Sequence, residues 1–220
     1  MSLNLTGQSE TTVDLLGDIF DAETFVGTTA FEIAFVHLAK IQLLVIFGDY
    51  KGAADLACRE RSFSEAQPVF CVGMLDTLTR GTAFYAMARA TKKRQYSKKA
   101  KKILKTVAGW VKNGNPNVQH YHHFLLAEDA ALGKRKIAEV EALYQKAIVQ
   151  ATRSAHLHHV ALFNERYADY LLEQSNDIKT GDVIKEEARH RHNEAIRMYH
   201  AWGASAKVEA LQDKLLEFRY

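Results

Sequence analysis

Four alanines recur along the chain at nearly constant intervals: Ala54, Ala100, Ala147 and Ala195 lie 46, 47 and 48 residues apart. Each stands inside a short amphipathic block that follows a longer, more apolar one. The apolar stretch 28–47 stops at Gly48 and is followed by "YKGAADLACRE" at 50–60. Block 69–91 begins behind Pro68, and its partner, 96–112, stops before Asn113-Gly114. Block 117–132, entered by Asn115-Pro116 and ended by Gly133, is paired with 136–153; block 156–174 is paired with 182–201. A last helix, about 204–218, follows "WGA". Proline suits the first turn of a helix, and glycine the position just past its end. Helix pairs repeating at this period cannot bury their apolar faces alone, so they stack on one another.

Little in the chain competes with helix. There are only two prolines in 220 residues, and β-branched alternation at period two is nowhere sustained. The expected fold class is all-α: an α-α superhelix of about four TPR-like helical hairpins plus a C-terminal closing helix. Residues 23–220 read as one helical repeat domain with no internal boundary. Residues 1–22 read as a polar N-terminal lead-in, expected to be poorly ordered.

Hydrophobic residues make up 47%, charged residues 25%, and the formal net charge is +3, which fits a folded chain and argues against wholesale disorder. Cys58 and Cys71 are too few for a disulfide framework and lack metal spacing. They are expected to be small buried apolar residues in a reducing compartment. The first twenty residues lack a basic region followed by an apolar run, so no secretory signal is read there. The Asn4-Leu5-Thr6 sequon then has no consequence. The most apolar stretch, 25–48, is broken by Glu32, His37, Lys40 and Gln42, and reads as a helix buried in protein rather than a membrane span. The expected location is cytoplasmic.

The C-terminal half adds a specific pattern. "ALYQKAIVQATRSAHLHHVALFNERYADYLLEQ" is followed by "EARHRHNEAIRMYHAWGASAKVEALQDKL". This resembles the TPR-like helical region of large multidomain signalling ATPases, in which a protein-kinase-like domain and an AAA-type ATPase precede the helices. GAF or PAS sensors with a histidine kinase often follow them. The resemblance rests on Tyr144, Ala147, Ile148, Ala161-Leu162, Asn164-Glu165 and Ala168, and above all on Tyr199 with Trp202-Gly203-Ala204 and Ala206-Lys207-Val208. It spans roughly 25–217. It departs at "EQSNDIKTGDV", where relatives have a longer, acidic or glycine-marked turn, and no ATPase, kinase or sensor domain lies within these residues. The resemblance implies a helical binding or coupling module, not the catalytic activity of such proteins.

Candidate chemistry is sparse. "HYHH" at 120–123 and "HLHH" at 156–159 hold six of the ten histidines. His120 and His123, like His156 and His159, share a helix face. Two parallel helix starts could bring the clusters together, but no Cys, Asp or Glu is interleaved at ligand spacing. No metal and no cofactor are expected; a metal- or pH-sensing role for these histidines is an alternative.

A basic run contains Lys92, Lys93, Arg94, Lys98, Lys99, Lys101 and Lys102, with Arg89 and Lys105 flanking it, and no acidic residue intervenes. The remaining 20 positive and 26 negative residues leave the rest of the chain at about −6. Tyr96, Ala100, Ile103, Leu104, Val107 and Val111 form a helical stripe through the same segment. The cations then cover the outer face of an amphipathic helix, and nucleic acid is not the expected partner, because no recognition motif accompanies the charge.

Gly133-Lys134 cannot be a P-loop, since Glu128 stands where its first glycine belongs. No nucleophile elbow, Cys–His pair or phosphoacceptor histidine box occurs, and catalysis has no candidate. Glu128-Asp129 and Glu186-Glu187 read as solvated faces. Tyr144, Tyr167, Tyr170 and Tyr199 read as packing residues, and Trp202 as closing the last hairpin.

These expectations make the chain a non-catalytic protein–protein interaction or scaffold module of a signal-transduction protein. It would bind a peptide, a protein or a neighbouring domain along a helical groove, with His123, Asn164 and Glu165 as groove contacts. The alternative is a fragment of a multidomain ATPase or histidine kinase whose catalytic domains lie elsewhere.

Overall fold

In the computed structural model, residues 1–9, 11–15, 25–27, 29–63, 72–133, 135–175 and 181–217 are described. The fold is all-α, with ten α-helices and no strand among these residues. They form two compact units, Met1–Val118 and Gln119–Tyr220. The sequence shows no boundary there.

The first unit contains α1 (Ser2–Thr6), α2 (Ala30–Ile46), α3 (Tyr50–Arg59), α4 (Val72–Thr91) and α5 (Arg94–Lys112). Thr29 and Glu32 form a capping box at the start of α2: the Glu32 N–H donates to Thr29 Oγ1, and the Thr29 N–H to Glu32 Oε2, each at 3.2 Å. Gly48, at φ +83°, reverses the chain into α3, where the Asp49 carboxylate accepts from the Gly52 N–H at 2.8 Å. Helix α3 packs on both α2 and α4, and α4 on α5. Leu38, Ala34 and Phe63 form a core cluster against which Val72 packs.

The second unit contains α6 (Gln119–Leu132), α7 (Ile137–Arg153), α8 (Leu157–Gln174), α9 (Gly181–Trp202) and α10 (Ser205–Glu217). Each packs against the next in chain order. The short connections after α6, α7 and α9 make these antiparallel hairpins. Gly203, at φ +84°, ends α9, and the Ala204 N–H donates to the Tyr199 carbonyl at 3.0 Å.

The periodic alanines are where the spacing predicts them. Ala54, Ala100, Ala147 and Ala195 lie in α3, α5, α7 and α9, and none exposes any surface. The four tyrosines are buried as well, with Tyr144 stacked on Tyr167 at 5.1 Å.

Three expectations need correction. The N-terminal lead-in is not featureless in its described residues. It begins with α1, and buried Asn4 donates to the carbonyls of Thr11 (3.1 Å) and Asp14 (2.7 Å). Asp14 in turn pairs with Lys40 of α2. Cys58 is exposed rather than buried, because it lies one residue beyond the stripe of Ala53, Ala54 and Ala57. Cys71 lies outside the described residues. Glu128 is not on a solvated face: it exposes nothing and pairs with Arg166 of another helix.

Candidate functional site

The two histidine clusters do meet. At the end of α7 the chain turns through Ala155, whose φ is +55°, with the Ala155 N–H donating to the Thr152 carbonyl and the His156 N–H to the Ala151 carbonyl. This paired closure fixes where α8 begins and sets His156 at its N-cap. His120 of α6 then comes within 3.2 Å of His159, Nε2 to Nδ1. His156 lies 4.9 Å from His120 and 5.4 Å from His159 between ring centroids, and His158 lies 3.9 Å from His159. Tyr121 and Phe163 complete the aromatic wall, and Trp202 stacks on His158 at 5.1 Å. His159 Nε2 is buried and has no hydrogen-bond partner.

Burial and mutual repulsion hold His120, His158 and His159 below the ordinary histidine range. His120 is pushed down to about 3 by desolvation first, then by the charges that His156 and His158 would carry. His158 is lowered to about 4 by desolvation and His156. His159 is held well below the ordinary histidine range by the same causes. His123 falls to about 4 through desolvation, Lys146 and His122, and its Nδ1 is buried without a partner. A neutral imidazole donates from one nitrogen and accepts at the other, so one ring of the His120–His159 pair donates to the other, the tautomers deciding which. Among the described residues no group of three or more His, Cys, Asp or Glu side chains is arranged to hold a metal ion.

A second set of polar residues lies deeper in the same unit. Glu128 of α6 exposes nothing and accepts from Arg166 of α8 through both oxygens, at 2.9 and 3.0 Å. The Tyr144 hydroxyl of α7 donates to the same carboxylate at 2.9 Å. Glu165 of α8 accepts from Tyr199 of α9 at 2.9 Å and from Lys207 of α10 at 2.7 Å. Asp169 of α8 lies 3.7 Å from His192 of α9 and accepts from Lys214 of α10 at 3.1 Å. Burial alone would raise the Asp169 pKa; His192, Lys214 and Arg166 outweigh it and hold the carboxyl below its usual range. Each carboxylate thus ties its own helix to the next two. The sequence alone does not show these ties, because partners 16 to 45 residues apart leave no local signature.

The candidate groove contacts separate. Asn164 and Glu165 are 2% exposed, so they do not line an open groove. Asn164 donates to the Val160 carbonyl of its own helix, and Glu165 is committed to Tyr199 and Lys207. Helical periodicity does not distinguish a groove-facing polar residue from one satisfied inside the stack. His123 is half-buried. The basic run behaves as its stripe implies: Tyr96, Ala100 and Val107 of α5 are buried, while Lys92, Lys93, Arg94, Lys98, Lys99, Lys101 and Lys102 are exposed.

No family model, curated protein or solved structure matches this chain. No helix among the described residues is long and apolar enough to cross a membrane.

Proposed function

We propose that the chain is a non-catalytic protein–protein interaction module that holds a peptide or a neighbouring domain against a preformed helical framework. The observation that carries this reading is the set of buried ties through Glu128, Glu165 and Asp169. They commit three interior carboxylates of the second unit to structure, each spanning three consecutive helices. Such a framework presents surface without needing to reorganise. The resemblance to the helical region of signalling ATPases supports placing the module in signal transduction. Capture from lysate with the bead-bound chain tests it. Specific proteins should be enriched over beads carrying a variant with the exposed α5 cations reversed to glutamate. An identical profile from both would reject the reading.

A specific observation favours a second reading, the His120–His159 contact. Protonation would place two positive rings 3.2 Å apart, so this corner of the unit responds to acid. If the module is pH-responsive, partner capture should change between pH 7 and pH 5 in the wild type and not in His120→Phe/His159→Phe.

A further inference from the structure

We infer that a cleft in the first unit, between the end of α3 and the faces of α4 and α5, binds a short peptide segment bearing anionic side chains. This rests on the interaction-module reading and gives it a partner chemistry. The cleft measures about 500 Å³, the size of a few side chains. Exposed Arg59, Arg61, Lys99 and Lys102 line it, and Glu60 is the one carboxylate among its lining residues. Glu60 lies 3.5 Å from both Arg59 and His37 and offsets one of the four positive charges, so the cleft stays net positive. Phe84 and Ile103 supply an apolar floor.

The wall of the cleft is fixed by a buried device. Arg80 of α4 donates to the carbonyls of Ala57 (2.8 Å), Glu60 (3.1 Å) and Arg61 (3.0 Å). Its Nε donates to Asp76 at 2.8 Å, and Asp76 also accepts from the Phe63 N–H at 2.8 Å. The backbone that carries Arg59 and Arg61 is therefore set before any ligand arrives, which lowers the ordering cost of binding. Arg80 is committed to these bonds, so the exposed cations Arg61, Lys99 and Lys102, with Arg59 beside Glu60, are the ones placed to meet a ligand.

Charge and shape together favour a peptide over nucleic acid. The cations ring a small cleft with an apolar floor, which suits an anionic side chain beside an aliphatic one. A single strand would need an exposed aromatic platform on which bases stack. Phe84 is only 4% exposed, and Lys99 Nζ sits 5.7 Å from its ring centroid.

Fluorescence anisotropy tests the inference with a labelled peptide repeating Glu-Glu-Leu, the same peptide with phosphoserine in place of glutamate, and a single-stranded DNA of equal charge. Binding to wild type is compared with Arg61→Glu/Lys99→Glu/Lys102→Glu in the cleft and with Lys93→Glu/Arg94→Glu/Lys98→Glu at the start of α5. Both triple variants change the net charge equally, and melting confirms that each is folded; Lys99→Ala/Lys102→Ala is the milder substitute. The Kd for at least one peptide should rise about tenfold or more in the cleft variant and less than about threefold in the other. Tighter binding by the carboxylate or by the phosphate peptide identifies the preferred anion. Equal weakening by both variants, no binding of either peptide, or tighter binding of DNA than of both peptides would overturn the inference. A chain that ignores these peptides yet still captures partners from lysate loses the cleft and keeps the module.

Discussion

His120 and His159 are 2% and 3% exposed and share one hydrogen bond, so a proton added to either would be held out of contact with solvent. Their folded pKa values lie below the unfolded value of about 6.5, so the unfolded chain binds more protons. The stability they contribute is complete above about pH 6.5 and is lost as pH falls toward 4. Each fully buried histidine contributes a slope of about 1.4 kcal/mol per pH unit in that window. Thermal melts should therefore show a steep fall in Tm between pH 6.5 and pH 4. Replacing both rings, as His120→Phe/His159→Phe, should change stability at pH 7 by about 1 kcal/mol or less, because no partner is left unpaired. At pH 5 the same variant should exceed wild type by roughly 3 kcal/mol. Parallel acid profiles of the two proteins would refute this. Ala155 offers a separate check: it holds φ +55° at the end of α7, so Ala155→Gly should raise stability by about 0.5–1 kcal/mol in chemical denaturation. At this scale the sequence was legible where size alone decides. The periodic alanines announced their burial, whereas Glu128, Asn164 and Glu165 read as surface residues because their burial depends on distant partners.

Among elements, the unit of stabilisation is a carboxylate shared by three successive helices. Burying a carboxylate is costly, and the cost is met only while every lone pair has a donor. Arg166→Met leaves Glu128 charged and buried beneath α8, and should destabilise the chain by about 3–5 kcal/mol. Adding Glu128→Gln should recover most of that loss, because the Tyr144 hydroxyl still has an acceptor. A double-mutant cycle by denaturant unfolding measures the coupling, and simple additivity of the two changes would show the tie to be incidental. Helix boundaries were legible to within a few residues, because caps and stops are local: Gly48, Asn113-Gly114 and Gly203 end helices where expected. Helix α1 was not legible, since a five-residue helix has too few positions to show a period.

Across the whole molecule, the chain forms two compact units where one uninterrupted array was expected. Repeating helix pairs look alike on both sides of a boundary, so periodicity alone does not reveal it. The ties through Glu128, Glu165 and Asp169, and the histidine cluster, all lie within Gln119–Tyr220. Expressed alone, residues 119–220 should retain helical circular dichroism and melt cooperatively; a non-cooperative melt would contradict their independence. Partners should meet a framework already formed in the free chain. Native-state hydrogen exchange on that free chain decides between a preformed framework and one that a partner induces. Amides of the buried core of α8, residues 160–171, should exchange only through global unfolding, while those of α1 exchange early. Exchange of residues 160–171 through local opening, at rates matching α1, would show instead that the framework forms only when a partner binds.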